Sequence, residues 1–190
     1  MTLLKRSCLF ATGHEDGYVK IWNLEIGSYI ALETKTKEKP HFDTVCALAT
    51  GIYSEETNNK LEETEYLFSS GYDGRILVWE ILEKKGATTK NSVMGNTITP
   101  QLKHAFYPHP EQTSQQFGRE ILCLIYNPDN FGMIIAAGNS KLIYFCKMHT
   151  YECFSIEGHE DSITCMALDK NFLLTGSDDK TIKIWVIINE

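Results

Sequence analysis

A chain of 190 residues with 43% hydrophobic and 11% aromatic residues has enough apolar material for one large folded domain or two small ones. Its formal net charge of −7 argues against nucleic acid or an anionic membrane as the main partner, because both attract basic surfaces. Polar residues interrupt the N-terminal region, and no apolar run reaches about eighteen residues, so neither a signal peptide nor a membrane span is predicted. We therefore expect a cytoplasmic protein.

The six cysteines contain no Cys-x2-Cys pair of the kind that tetrahedral zinc sites favour. Most lie in apolar runs such as TVCALA, ILCLIY and ITCMAL, where a free thiol behaves as a small buried hydrophobe. Intracellular thiols also stay reduced. Reduced core cysteines are thus predicted in preference to a disulfide or a metal site.

One short pattern returns four times along the chain: a small residue, a glycine, a polar turn, an alternating strand and a large aromatic residue. The four segments are ATGHEDGYVKIWNL, SSGYDGRILVWEI, AAGNSKLIYFCKM and LTGSDDKTIKIWVI. In each segment a turn residue precedes the aromatic residue by six positions, as in Asp16 and Trp22, Asp73 and Trp79, Asn139 and Phe145, and Asp179 and Trp185. A turn rich in Asp, Asn and Gly followed by a period-2 strand predicts a repeated β-hairpin.

A further alternating strand precedes three of these hairpins, at 45–48, 121–126 and 163–168. His41 and His159 each stand four residues before such a strand, where a turn is expected. A single sheet of this size is too thin to be stable alone, so the pattern predicts antiparallel sheets that stack on one another.

The segment GHEDSITCMALDKNFLLTGSDDKTIKIWVI resembles the WD repeat, which opens near a Gly-His pair and closes near Trp-Asp. The resemblance covers nearly the whole chain apart from two inserts. It implies an all-β fold, a β-propeller arc of four-stranded antiparallel blades that forms an incomplete ring of about three and a half blades. The chain departs from the family pattern, since Asn23, Glu80 and Val186 replace the closing Asp and the third unit lacks the His, the turn Asp and the Trp.

We expect one partial propeller over 1–190, with units at about 1–31, 41–107, 118–156 and 158–190. The first unit is expected to begin at its second strand and the last to stop after its third. The second unit carries inserts at 51–65, which is acidic, and at 84–100, with an outer strand near 101–107. The inserts are either disordered surface loops or a docking surface on one rim.

Propellers have about four to eight blades, so this arc either belongs to a longer propeller or is completed by another chain or segment.

The resemblance also implies a hydrogen-bonded chain of His, Ser or Thr, Asp and Trp within a blade. A hydrolytic triad is the alternative, but repetition in successive units and a buried indole that needs an acceptor favour an architectural role. The first unit lacks the His. The implied tetrads are His159, Thr175, Asp179 and Trp185; His41, Ser70, Asp73 and Trp79; and the partial set Thr12, Asp16 and Trp22.

No phosphate-binding, dinucleotide-binding, zinc-protease or EF-hand motif is present, so no enzyme activity, cofactor or metal is predicted. His104 and His109, in the segment KHAFYPHP, are expected to be exposed rather than to bind a metal.

The predicted function is a non-catalytic protein-interaction scaffold within an intracellular multiprotein assembly, with other proteins as partners. The alternatives are a structural component of the ciliary microtubule cytoskeleton and, ranked third, a substrate adaptor for a ubiquitin ligase. The family's docking signature for such ligases is Trp-Asp-x-Arg, which this chain lacks. On the rim that carries the second-to-third-strand turns, the candidate partner-binding residues are Glu15, Phe42, Asp43, Tyr72, Glu160, Asp161 and Asp178.

Overall fold

The computed structural model describes residues 1–4, 9–24, 27–57, 60–85, 92–93, 96–109, 118–129 and 132–188. All regular structure in these ranges is β-strand. Within the same ranges, no helix is long and apolar enough to cross a bilayer.

The strands form four antiparallel sheets, which we call blades 1 to 4 in chain order. Blade 1 contains β1 (Thr2–Leu3), β2 (Leu9–Gly13), β3 (Val19–Asn23) and β4 (Ser28–Ala31). Blade 2 contains β5 (Val45–Thr57), β6 (Lys60–Gly71), β7 (Ile76–Lys85), β8 (Ser92–Val93) and β9 (Asn96–Phe106), in the spatial order β5-β6-β7-β9-β8. Blade 3 contains β10 (Ile121–Asn127), β11 (Met133–Gly138), β12 (Leu142–Lys147) and β13 (Cys153–Glu157), and blade 4 contains β14 (Ile163–Asp169), β15 (Phe172–Ser177) and β16 (Ile182–Val186).

The turn acids of the repeat form the hairpins. The carboxylate of Asp16 accepts a hydrogen bond from the Tyr18 amide at 3.1 Å, and Asp179 accepts one from the Thr181 amide at 2.8 Å. An Asp side chain that binds the backbone two residues on stabilises a tight turn. Gly17 has a φ of 86°, and a Cβ there would stand 2.3 Å from the His41 carbonyl oxygen, so only glycine fits.

The blades stack face to face around three apolar clusters. Leu67 and Trp79 of blade 2 pack on Leu9 and Ile21 of blade 1. The opposite face of blade 2 packs on blade 3, and the far face of blade 3 packs on blade 4 around the buried Ile135. In blades 2 and 4 the tryptophan face therefore turns towards the preceding blade. The predicted all-β propeller arc is confirmed.

The outer face of blade 4 is apolar and exposed. Ile182, Ile184 and Val186 alternate along β16 and are 77%, 67% and 62% exposed. The corresponding side chains of β3 in blade 1, Val19 and Ile21, are buried under blade 2. The same type of face is thus covered in one blade and uncovered in the other.

Blade 1 differs from its prediction. We expected its first element to be the second strand of a blade, but Thr2 and Leu3 form a short strand that pairs with β2 at Ala11 and Phe10. Blade 1 therefore has four strands, whereas blade 4 has three in the described ranges, as expected.

The described residues of the two inserts of blade 2 belong to β-strands. Residues 51–57 continue β5 and residues 60–65 continue β6, with pairing as far as Thr57 and Lys60. Residues 96–100 extend β9, which pairs with β7 as far as Lys85 and Asn96. The expectation of disordered loops is wrong for these residues, because a continuous antiparallel ladder satisfies their backbone groups despite their polar composition. Residues 58–59, 86–91 and 94–95 lie outside the described ranges.

Two cysteines form a disulfide, contrary to the expectation that all are reduced. Cys146 on β12 and Cys153 on β13 are direct cross-strand partners, with their Cα atoms 4.2 Å apart. The sequence could not indicate this pair because the strand register was unknown. Of the other cysteines in the described ranges, Cys46, Cys123 and Cys165 are free, and Cys8 lies outside them.

Candidate functional site

A buried chain of hydrogen bonds connects the rim of blade 2 to its core. Trp79 Nε1 donates to Ser69 Oγ at 3.1 Å, and Ser69 Oγ lies 2.8 Å from His41 Nε2. The other ring nitrogen of His41, Nδ1, lies 3.0 Å from Asp73 Oδ1. All of these polar groups are satisfied when the hydroxyl donates to Nε2 and Nδ1–H donates to the carboxylate. The chain therefore holds the turn against the sheet.

Blade 4 repeats this arrangement with a threonine. Trp185 Nε1 donates to Thr175 Oγ1 at 3.0 Å, and the same oxygen lies 2.7 Å from His159 Nε2. His159 Nδ1 is 2.8 Å from Asp179 Oδ2, which also accepts the Glu160 amide at 3.0 Å. The structure thus brings together all four residues that the sequence assigned to this blade.

The hydroxyl of the blade 2 chain is Ser69, whereas the sequence-based assignment was Ser70. Ser70 lies on the other face of β6, where its hydroxyl contacts the Ile121 carbonyl of blade 3 at 3.5 Å. The error arose because Ser70 was aligned by its neighbouring glycine. Spacing from the tryptophan identifies the correct residue, since Thr12, Ser69 and Thr175 each stand ten positions before Trp22, Trp79 and Trp185.

Blade 1 has a histidine that the sequence analysis missed. Trp22 Nε1 donates to Thr12 Oγ1 at 2.7 Å, and His14 Nε2 lies 2.8 Å from the same oxygen. His14 is inside the turn rather than before the first strand, so the family spacing did not reveal it. The carboxylate of Asp16 accepts the Tyr18 amide at the turn.

Blade 3 uses different residues for the same purpose. Ala136, ten positions before Cys146, pairs with Tyr144, so Cys146 rather than Phe145 occupies the position of the tryptophan. Phe145 points to the opposite side, into the cluster shared with blade 4. The predicted correspondence of Asn139 and Phe145 with the turn acid and the tryptophan is therefore wrong by one residue.

The hydroxyl of Tyr144 provides the polar link in blade 3. It donates to Ser140 Oγ at 3.1 Å and lies 3.0 Å from His109 Nδ1, while His109 Nε2 lies 2.9 Å from the Arg119 carbonyl. His104 stacks on Tyr151 with ring centroids 4.1 Å apart. His104 and His109 are both half-buried, so the prediction that they are exposed is wrong. Burial lowers the pKa of both. Their contacts explain why a surface-loop interpretation failed.

Hydrogen bonds lower the pKa of both turn aspartates, and in blade 2 nearby charges add to this effect. Burial by itself would raise the pKa of Asp73, but hydrogen bonds and charge from His41 and Arg75 outweigh it and lower that pKa to about 2. Arg75 forms an ion pair with Asp73 at 2.8 Å and also donates to the Pro40 carbonyl. The pKa of Asp179 is likewise lowered, against the effect of desolvation, by hydrogen bonds from Thr181, the Glu160 amide and His159.

These Ser/Thr, His and Asp groups have the composition of a hydrolytic triad but not its accessibility. Ser69 and His41 are both 0% exposed, and the hydroxyl oxygen already accepts a bond from an indole. A nucleophile must reach its substrate beside an oxyanion site. Among the described residues, no group of His, Cys, Asp or Glu could hold a metal ion. The burial and the hydrogen bonds of these side chains therefore favour a structural role for them.

The candidate partner-binding residues lie on the rim that the turn acids occupy, and all are exposed. Phe42 and Tyr72 are 70% and 49% exposed. Thr44 connects two of the turns, because its carbonyl accepts the Tyr72 amide at 2.9 Å and its hydroxyl contacts the Glu15 carbonyl at 3.5 Å. We define the rim patch as Glu15, Phe42, Asp43 and Tyr72, whereas Glu160, Asp161 and Asp178 belong to blade 4.

The tetrad of blade 2 fixes the centre of the rim patch. The Phe42 amide donates to Asp73 Oδ2 at 3.0 Å, and the Arg75 guanidinium lies 3.8 Å from the centroid of the Phe42 ring. Arg75 was not among the residues predicted for this rim. Its position two residues after the turn acid is the signal that was available. The patch presents two aromatic side chains and two carboxylates on a backbone held by buried bonds.

Comparisons with known proteins agree with this geometry. The family model described as "WD domain, G-beta repeat" matches residues 3–23 and 150–186. The chain is 31% identical over 185 residues to the "Periodic tryptophan protein 2 homolog" of Dictyostelium discoideum, covering 95% of this chain and 16% of that protein. It is 49% identical over 50 residues to the "Probable E3 ubiquitin ligase complex SCF subunit scon-2" of Neurospora crassa, covering 26% of this chain and 8% of that protein.

The fold is similar to that of a solved structure described as "Structure of U3-55K". The TM-score is 0.64 at 17% identity, over 98% of this chain and 45% of that chain. The chain therefore spans less than half of that structure and less than a fifth of the two relatives.

Proposed function

The chain belongs to the WD-repeat family, and from this premise we propose that it works as a non-catalytic scaffold within an intracellular multiprotein assembly. WD-repeat propellers generally bind other proteins. The observation that carries the proposal is the rim patch, where exposed Phe42 and Tyr72 stand on turns fixed by the buried tetrad of blade 2. Rigid aromatic side chains flanked by carboxylates favour a partner with basic and apolar residues.

The test compares the proteins that co-purify with the native chain and with the double variant Phe42→Ala, Tyr72→Ala. The matched control is the double variant Asp169→Ala, Asn171→Ala, because these exposed residues lie at the opposite rim. Selective loss of a partner from the rim variant supports the proposal. Identical sets of partners for all three proteins would refute it.

We also propose that a further sheet of the same type covers the outer face of blade 4. Burying exposed isoleucines such as Ile182 and Ile184 is worth about 1.5–3 kcal/mol for each side chain. The equivalent face of blade 1 is covered by the tryptophan face of blade 2, with Trp79 at the contact. The covering sheet should therefore present the same tryptophan face.

One likeness favours a second candidate function, a subunit of a ubiquitin ligase. The Neurospora crassa relative bears that description, and the similarity extends over 50 residues. Against it, Glu25, Leu82 and Ile188 stand where the docking signature requires arginine. Co-purification with core SCF subunits would support this candidate over a general scaffold.

The cytoplasmic location and the microtubule-bound alternative stay predictions. Co-sedimentation of the native protein with microtubules distinguishes a cytoskeletal component from a soluble scaffold.

A further inference from the structure

A second surface lies at the rim opposite the rim patch, in a cleft between blades 2 and 3. The cleft has a volume of about 260 Å³. This is smaller than the roughly 300–1,000 Å³ of pockets that hold drug-sized ligands, and suits one long side chain. We call it the tyrosine cleft, and the lining residues that matter are Tyr53, Tyr66, Tyr151, Glu62, Glu80 and Lys103.

The cleft exists because blade 2 is longer than blade 3. Strands β5 and β6 have 13 and 12 residues, whereas β10 and β11 have 7 and 6. Side chains alternate along a strand, so Glu62 and Thr64 share the face of Tyr66, which packs towards blade 3. The described strands of blade 3 end before they cover this row. The turn between β12 and β13, with Tyr151, forms the opposite wall.

The aromatic walls are fixed by packing. Tyr66 is 7% exposed, and its ring lies 6.3 Å from that of Phe68. The Tyr53 ring lies against Gly132, where a Cβ would stand 2.7 Å from it. Tyr151 is held by stacking on His104. A ligand would therefore meet a largely preformed site, which reduces the entropic cost of binding.

The charges of the cleft favour a cation. Glu62 is exposed, while Glu80 is paired with Lys103 through a 3.3 Å contact between Oε2 and Nζ. The cleft is thus lined by two carboxylates, one ammonium group and the His149 imidazole, and the Lys103 side chain is 45% exposed, so it has room to move aside. Burial lowers the pKa of the adjacent His104, which keeps its ring neutral near pH 7. Tyrosine ring faces also attract cations.

We propose that the tyrosine cleft binds an arginine side chain presented by a partner protein. A guanidinium group is planar, so it stacks on tyrosine rings while it donates hydrogen bonds to carboxylates. Glu62 and Glu80 supply these acceptors, and Lys103 is displaced. The proposal rests on the scaffold function, since it assumes a protein partner, but it concerns the other rim.

The experiment titrates the native chain, labelled with 13C at methionine methyl groups, with the peptide acetyl-Gly-Gly-Arg-Gly-Gly-amide. Met148 lines the cleft and serves as the reporter, with Met166 of blade 4 as an internal reference. The Met148 signal is assigned by its absence from the spectrum of the Met148→Leu variant. We expect a saturable shift of the Met148 signal alone, and no saturation with the citrulline peptide, which is close in size and uncharged.

The matched variants are Glu62→Gln and Glu63→Gln, neighbours that lie on opposite faces of β6. Both glutamates are exposed, and circular dichroism and urea unfolding of each variant check that its fold is unchanged. Glu62→Gln should weaken binding about tenfold, as expected for loss of a charge-assisted hydrogen bond, and Glu63→Gln should leave it unchanged. Equal binding of the citrulline peptide, tighter binding of a lysine or glutamate peptide, or equal effects of the two variants would overturn the proposal.

The result of the peptide titration can be told apart from the result of the co-purification test of the scaffold function. The variant Phe42→Ala, Tyr72→Ala should bind the arginine peptide normally, because the rim patch lies at the other rim. Failure of the arginine peptide to bind would overturn the proposal for the tyrosine cleft and leave the rim-patch experiment unaffected. Loss of partners from the rim-patch variant would support the scaffold function without bearing on the cleft.

Discussion

Trp79 and His41 are bridged by one hydroxyl group, that of Ser69, which lies 3.1 Å from the indole nitrogen and 2.8 Å from the imidazole. A single buried oxygen therefore satisfies two polar groups from different strands and loops. The bridge connects the rim, where partners are proposed to bind, to the apolar core between blades 1 and 2.

Replacing Ser69 with alanine should destabilise the protein by about 1–3 kcal/mol, because both buried nitrogens lose their partner. Ser70→Ala is the matched control, since its hydroxyl makes only a 3.5 Å contact with the Ile121 carbonyl. Urea unfolding measures both free energies. Equal losses for the two variants would contradict the assignment of Ser69 to the tetrad.

Acid should weaken the tetrad of blade 2. The pKa of Asp73 is about 2 in the folded protein and 3.8 in the unfolded chain. A lowered folded-state pKa means that the carboxylate contributes stability above about pH 4, and that this contribution disappears as the pH falls towards 2. We expect the free energy of unfolding of wild type to exceed that of Asp73→Asn by on the order of 1–2 kcal/mol at pH 6.

Unfolding free energies of the two proteins between pH 6 and pH 2.5 test this expectation. The difference between them should shrink over the acid half of that range. A difference that stays constant with pH would show that the charge of Asp73 does not stabilise the fold.

Ile21 and Ile184 occupy equivalent positions in blades 1 and 4 but differ in exposure, at 2% and 67%. Ile21→Asp should unfold the chain or cost several kcal/mol, because it places a carboxylate in the core between blades 1 and 2. Ile184→Asp should leave the unfolding free energy within about 0.5 kcal/mol of wild type.

The same pair of variants tests the proposed covering sheet. Light scattering and co-purification should show that Ile184→Asp abolishes whatever association covers blade 4. Unchanged association in this variant would argue against contact through that face.

The disulfide should contribute modestly to stability. The bond joins residues separated by 7 positions, and closing a loop this short is expected to stabilise the protein by about 2 kcal/mol. The variant Cys153→Ser removes the bond, and urea unfolding compares its free energy of unfolding with that of wild type. Cys165→Ser is the control for replacing an exposed thiol. Alkylation of the unfolded, unreduced protein should label Cys46, Cys123 and Cys165 but not Cys146 and Cys153. Labelling of these two would show that they are reduced.

The repeated turn and its constant interval between Asp and Trp were sufficient to predict the hairpins and their stacking, whereas the tetrad of blade 4 was implied by the resemblance to the WD repeat. It was insufficient where a residue had been replaced. The matching of Asn139 to the turn acids and of Phe145 to the tryptophans failed because blade 3 has neither residue, so the residue pattern did not indicate which side of β12 faces blade 2. His14 was missed for a related reason, since a side chain can reach the same hydroxyl from a different loop.

Composition was misleading in the long hairpin of blade 2. Residues 51–57 and 60–65 are largely polar, which is typical of loops, yet they form strands because each has a partner on the adjacent chain segment. The tyrosine cleft depends on this pairing and on its exact neighbours in blade 3, including Gly132 and Tyr151. Such contacts between distant segments follow from register, which a single sequence does not reveal.

In blades 1, 2 and 4 the two faces are chemically different, one with an indole and the other with aliphatic side chains, and this gives the stack a direction. A second copy or another sheet that covers the face of Ile182 and Ile184 as blade 2 covers blade 1 presents its indole side to that face, so the contact is heterologous and lacks twofold symmetry. Addition of this kind closes only if the rotation per sheet completes a circle, and otherwise it continues as a filament. Curvature between successive sheets therefore decides between a finite particle and uncontrolled polymerisation.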